Sequence, residues 1–166
     1  MDKLWAPWRE KYITKLIGKQ KSCVFCRMAK EKKDKKNFII IRSTYVYSVL
    51  NLYPYNNGHI LVLPYRHVKY LRNLAKAERD DLFEVLELVQ VLINKELKPQ
   101  GYNIGINLGR AAGAGFPGHL HIHLVPRWRG DYNFMPVVSN TKVISQSLEG
   151  LHTLLTNAHK RKHRRA

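Results

Sequence analysis

The run His119-Leu120-His121-Ile122-His123-Leu124-Val125 limits what this chain can fold into more than any other stretch. Histidine and aliphatic residues alternate along it, and alternation at period two predicts a half-buried β-strand. On such a strand His119, His121 and His123 share one face, with neighbours roughly 6–7 Å apart, while Leu120, Ile122 and Leu124 point into a core. A strand shaped only for stability would carry Thr, Tyr or Val on its polar face. Imidazoles in file point instead to metal ligation, or to acid–base and nucleophilic chemistry near neutral pH.

The 166 residues are expected to form one domain that buries roughly 70% of its unfolded surface. No run approaches the roughly 18 consecutive apolar residues of a membrane-spanning helix, so no membrane partner is expected. The opening Met1-Asp2-Lys3-Leu4-Trp5-Ala6-Pro7-Trp8-Arg9 lacks the apolar stretch of a secretory signal. Two cysteines, three residues apart, make no disulfide framework, and a cytoplasmic location is the expectation. The formal net charge of +17 favours polyanions such as nucleotides or nucleic acid. Lys30, Lys32, Lys33, Lys35 and Lys36 crowd one stretch, and Lys160, Arg161, Lys162, Arg164 and Arg165 close the chain. Neither has apolar periodicity, so a solvated loop and a disordered basic tail over 158–166 are expected. Such a tail would tether nucleic acid, although no aromatic residue interleaves it to stack on bases.

A basic, Trp-containing arm occupies residues 1–22 and the domain extends to 157. Strands are predicted at Phe38–Arg42, Thr44–Leu52 and Gly58–Pro64, the last two pairing antiparallel around Pro54-Tyr55-Asn56-Asn57-Gly58. A helix is predicted from Ala75 to Leu97, with Leu82, Val85, Leu86, Val89, Leu92 and Ile93 buried and Asp80, Asp81, Glu84 and Glu87 facing out. Pro99 and Gly101 end it. Tyr102–Leu108 reads as a further strand, and Val143–Asn157 as a second helix burying Ile144, Leu148, Leu151 and Leu155. Strands in succession around one long helix argue for an α+β fold with an antiparallel sheet.

A neutral imidazole attacks phosphorus and departs well once protonated, which suits a covalent nucleotidyl intermediate. It needs one neighbour to hold its tautomer and another to protonate the leaving phosphate; His121, flanked by two imidazoles, meets that minimum. The preceding loop, Gly109-Arg110-Ala111-Ala112-Gly113-Ala114-Gly115-Phe116-Pro117-Gly118, offers backbone N–H groups for phosphate oxygens. Metal is the other reading. Cys23-Val24-Phe25-Cys26 is half a zinc site, and His67 and His119 are the candidates to complete it. His59 and His67 otherwise read as polar residues at strand ends.

Three stretches together resemble the histidine triad nucleotide hydrolases and transferases. They are Asn51 to Pro64, with its Asn…Pro…Gly-His pattern; Asn107-Leu108-Gly109 with the loop behind it; and Gly118 to Trp128. The flanks, Leu4 to Arg9 and Trp128 to Pro136, are similar to the branch of diadenosine tetraphosphate phosphorylases and related hydrolases. The resemblance implies a sheet of about five antiparallel strands with one long helix, plus a C-terminal helix, and usually a homodimer through sheet extension. It implies a nucleotide or dinucleoside polyphosphate substrate, His121 as nucleophile, His123 on the phosphate and leaving group, and His59 as their partner. Asn51 matches the ribose position and Asn107 a phosphate-supporting amide, with Gly109, Arg110 and Gly115 of the loop as further phosphate contacts. A structural zinc on Cys23, Cys26, His67 and His119 is also implied, with no organic cofactor. Many small members place Gln-Ser or Gln-Thr before the triad; here Gly115-Phe116-Pro117-Gly118 stands, so backbone amides or Arg110 must serve instead.

Overall fold

The computed structural model describes residues 22–131 and 143–163. Residues 1–21 of the basic arm, the flank 132–136 and the last three residues of the tail lie outside them. In chain order the elements are α1 (Val24–Glu31), α2 (Asp34–Asn37), β1 (Ile39–Arg42), β2 (Val46–Leu50), β3 (Ile60–Pro64), a 3-10 turn (Leu71–Asn73), α3 (Lys76–Leu97), β4 (Gly101–Gly105), β5 (Ile122–Arg127) and α4 (Leu148–His163). The sheet runs β1-β2-β3-β5-β4, every pair antiparallel. This is the α+β architecture expected.

One face of the sheet packs on α3 and α4. Val46, Leu50, Ile60, Val62, Leu120, Ile122 and Leu124 meet Leu82, Val85, Leu86, Val89, Leu92 and Ile93 of α3, with Leu151 and Leu155 of α4. Each such side chain contributes on the order of 1.5–3 kcal/mol by leaving water. The opposite face carries Tyr47, Val49, Leu61 and Leu63, covered by Phe25 and Met28 of α1. Because side chains alternate along β5, burying Leu120, Ile122 and Leu124 on the α3 side sends the histidines toward α1.

Several expectations are corrected. The hydrogen-bonded strand begins at Ile122, not His119. The Leu120 N–H pairs with the Val68 carbonyl in the loop after β3, at 2.7 Å, so the chain joins the β3 ladder only at Ile122. Leu120 is nonetheless buried, at 3% exposure, with Ile122 and Leu124. Asp81 faces inward at 6% exposure. Its carboxylate accepts from the N–H of Tyr45 (2.7 Å) and Val46 (3.2 Å) and from the Ser43 hydroxyl, pinning the β1–β2 turn to α3. Position 81 lies four before Val85, on the buried face, and these hydrogen bonds offset the carboxylate's desolvation. The C-terminal helix begins at Leu148 rather than Val143, with Ile144 and Leu148 half-buried. It also runs past Asn157 to His163, because Ala158 is buried against the core. The lysine-rich stretch is partly helical, with Lys30 in α1 and Lys35 and Lys36 in α2, and its residues 32–36 line an open cleft with Phe38, Glu149 and His152. No described helix is long and apolar enough to cross a membrane.

Candidate functional site

The turn between β2 and β3 sets the site. Gly58 there adopts φ +74°, and a Cβ on it would stand 2.9 Å from Leu97 Cδ1 and 3.1 Å from Pro126 Cγ. Only glycine fits a left-handed residue in so close an approach. The turn delivers His59, 1% exposed, at the head of β3. In β5, His123 lies opposite Leu61 on one side and Gly105 of β4 on the other. His59 Nε2 and His123 Nδ1 stand 2.9 Å apart. The rings of His121 and His123 are 4.9 Å apart, centre to centre. Asn51 completes the group, its side-chain nitrogen 3.3 Å from His59 Nδ1.

Hydrogen bonds assign the tautomers. The Tyr55 N–H donates to His59 Nδ1 at 3.0 Å, so the proton of His59 is on Nε2 and is donated to His123 Nδ1. His123 then carries its own proton on Nε2. His121 Nδ1 is 2.8 Å from the carbonyl oxygen of His119, which can only accept. Its proton is therefore on Nδ1 and the lone pair on Nε2. The site thus holds one imidazole with a free pair beside another with a proton to give. Burial, with the charges of His123 and His121 adding to it, pushes His59 down to about 3, which keeps it neutral. Burial also lowers His121, against the opposing pull of its bond to the His119 carbonyl.

His119 turns away from this pair. Its Nε2–H donates to the Pro64 carbonyl at 2.9 Å, leaving the Nδ1 lone pair toward Cys23 Sγ (3.3 Å) and Cys26 Sγ (3.6 Å). Cys26 Sγ is 3.4 Å from His67 Nδ1. The ligand atoms of Cys23, Cys26, His67 and His119 all lie within 4.8 Å of one another and could hold a metal ion. Burial pushes the Cys26 thiol up and the Cys23 thiol beside it adds to this, so Cys26 resists ionising unless a cation sits beside it. Cys23 precedes α1 and Cys26 lies in its first turn, which is why C-x-x-C turns both sulfurs to one side.

Of the residues singled out in the sequence, His59, His121, His123 and Asn51 come together in one group, and Cys23, Cys26, His67 and His119 in a second. Asn107, half-buried just beyond β4, makes no side-chain hydrogen bond within the described residues. Arg110 is exposed and Gly115 half-buried. Gly109 takes φ +86°, folding the loop so that the N–H groups of Gly113 and Ala114 are occupied by the carbonyls of Arg110 and Gly109. Sequence reasoning missed two residues. Tyr55 supplies the N–H that fixes His59 and lays its ring parallel to His123 at 5.8 Å. Phe25 packs 5.3 Å from His121 and 5.5 Å from His119, joining the two groups. Its position between the cysteines was the available signal.

The profile of the HIT domain family matches residues 32–130. The chain is 37% identical over 161 residues to an AP-4-A phosphorylase of Mycobacterium tuberculosis, covering 93% of this chain and 83% of that protein. It is 40% identical over 84 residues to the asymmetrical bis(5'-nucleosyl)-tetraphosphatase of Schizosaccharomyces pombe, covering 51% of this chain and 46% of the relative. Among solved structures, a Zn-bound histidine triad family protein from Mycobacterium smegmatis aligns with TM-score 0.69 at 25% identity, covering 87% of this chain and 98% of that one.

Proposed function

The chain belongs to the HIT domain family, and from that membership we propose that it cleaves diadenosine tetraphosphate at an α-phosphate through a nucleotidyl-His121 intermediate, with inorganic phosphate as acceptor. The observation that carries the reading is the tautomer pattern: a lone pair on His121 Nε2 beside a proton on His123 Nε2. His121 Nε2 attacks the α-phosphorus and the P–O bond to the rest of the phosphate chain breaks. His123 gives its Nε2 proton to the departing ATP oxygen and takes one back from the incoming phosphate. Phosphate then attacks the same phosphorus, the P–N bond breaks, and ADP leaves. Negative charge that develops on the non-bridging oxygens is met by His123, by Arg110 and by those amides of the Gly109–Gly115 loop that remain open, while Asn51 and Asn107 take the ribose and phosphate. Phosphate rather than water is favoured because the likeness to the AP-4-A phosphorylase spans 93% of the chain, against 51% for the tetraphosphatase.

The metal is zinc on this reading, held by Cys23, Cys26, His67 and His119. Zinc bonds of about 2.3 Å to sulfur and 2.0 Å to nitrogen, at tetrahedral angles, would place S and N about 3.5 Å apart. The S···N separations of 3.3, 3.4 and 3.6 Å match that figure. Four protein ligands leave no open position, so the ion fastens α1 to the His119 carbonyl that orients His121 and takes no part in the chemistry. Two thiolates that must stay reduced suit the cytoplasm. A homodimer would form if a second copy extended the sheet at β4, the terminal strand, where Ile104 is 46% exposed.

The experiment is incubation with diadenosine tetraphosphate and excess phosphate, with products resolved by anion exchange. ADP with ATP is the expected outcome. AMP with ATP would make water the acceptor, and no products would overturn the reading.

A further inference from the structure

Beyond the histidines, a second chain of contacts reaches the site from the far end of β5. Asp131 has a side chain only 6% exposed, paired with Arg127 through Nε–Oδ2 (2.6 Å) and Nη2–Oδ1 (3.0 Å). The same Oδ2 accepts from Asn56 Nδ2 at 2.8 Å, and Asn56 Nδ2 also donates to the Pro126 carbonyl at 3.0 Å. Asn56, 7% exposed, is thereby tied by its side chain to the end of β5. Its backbone carbonyl accepts the His59 N–H at 3.2 Å, and the residue before it, Tyr55, donates its N–H to His59 Nδ1. Two consecutive residues, Tyr55 and Asn56, therefore grip the ring and the backbone of His59. They are held there by a buried amide and a buried carboxylate.

We propose that Asp131 and Asn56 are positioning residues that hold the Tyr55 N–H on His59 Nδ1 and so fix which nitrogen of His123 carries the proton. The inference rests on the functional reading above. Asp131 acts through Asn56. Turns held only by local backbone bonds shift easily, and a Tyr55 N–H moved off Nδ1 lets His59 take either tautomer. His123 would then present its proton on Nδ1 in part of the molecules, and the leaving group would go unprotonated there. The twofold hold of Arg127 on Asp131 leaves the carboxylate oxygen fixed in direction, which a lone charge on the surface would not achieve.

The test uses the full chain with Asn56→Ala and, as a gentler change, Asp131→Asn. Two substrates are compared: the 4-nitrophenyl and the phenyl ester of AMP. The nitrophenolate departs without a proton, whereas the phenolate needs one. Turnover of the phenyl ester is expected to fall about tenfold, the effect of one lost hydrogen bond to a reacting group, with the nitrophenyl ester changed by less than about threefold. Nitrogen-15 NMR of histidine-labelled protein should show one protonated nitrogen, Nε2, on His59 and on His123 in the wild type, and mixed tautomers in the variants. Equal losses on both esters, no loss on either, or unchanged tautomers would overturn the proposal. If the wild type turns over neither ester, the functional reading fails by itself, and the tautomer measurement, which needs no turnover, still decides this one.

Discussion

Acidification should cost this fold stability through one buried ring above all. His59 is pushed from 6.5 to about 3 by burial, with the nearby His123 and His121 adding to the effect. In the unfolded chain it takes a proton as pH falls through about 6.5; in the folded chain it stays neutral until about 3. Between those values the unfolded state binds more protons, so stability falls as pH falls, and above about 6.5 this ring adds no pH dependence. At pH 4.5 the gap of about 2 units corresponds to about 2.7 kcal/mol, and the loss levels off at about 5 kcal/mol near pH 3. That is a large share of the roughly 5–15 kcal/mol that holds a domain together. The perturbation is His59→Gln, which removes the titrating group. The assay is urea unfolding of both proteins at pH 7.5 and 4.5, with salt and metal held constant. Other acid effects, including release of a metal from the cysteine cluster, are common to both and cancel in the difference. Wild type is expected to lose about 2–3 kcal/mol more than the variant over that interval. Equal losses would mean that His59 is not held neutral, and the assignment of its proton would fall with it.

Three further outcomes follow from the same geometry. His123→Ala should lower turnover of diadenosine tetraphosphate about 10²–10⁴-fold, the usual worth of a general acid, with KM nearly unchanged; a loss under threefold in steady-state kinetics would remove its role. Elemental analysis should find one zinc per chain in wild type and much less in Cys26→Ser. Stripping metal from wild type should lower Tm by roughly 5–10 °C, as binding at a hundredfold excess over Kd adds about 2.7 kcal/mol. A metal-free wild type with unchanged Tm would contradict the site. Asp81→Ala leaves the N–H groups of Tyr45 and Val46 and the Ser43 hydroxyl without their acceptor. A cost of about 2–4 kcal/mol is expected, seen as a Tm lower by roughly 5–15 °C, and a change under about 2 °C would show the carboxylate to be dispensable.

The two faces of β5 were legible because alternation is a local property of the chain, and the buried stripe of α3 for the same reason. The extent of β5 was not. Whether Leu120 joins the ladder depends on Val68, far away in sequence, offering its carbonyl first. Asp81 carries two opposed signals, a charge that predicts exposure and a periodicity that places it beside Val85, and the periodicity wins. Helix α1 has little sequence signal: eight residues that run straight into a lysine-rich stretch look like the start of a loop. Yet Phe25 and Met28 stand three apart and both are buried. The cysteine–histidine cluster was legible as a donor set from C-x-x-C and the family pattern. The proton relay was not, since it depends on a backbone N–H, that of Tyr55, and backbone groups have no signature in composition.

The central claim is a double displacement at the α-phosphorus, and the stereochemistry of that atom tests it most directly. Diadenosine tetraphosphate made chiral at the α-phosphorus with sulfur is cleaved in the presence of phosphate, and the configuration of the thio-ADP product is determined. Attack by His121 inverts the centre once and attack by phosphate inverts it again, so net retention is expected. Net inversion would mean that phosphate strikes the substrate directly, and the nucleotidyl-histidine would have to be abandoned.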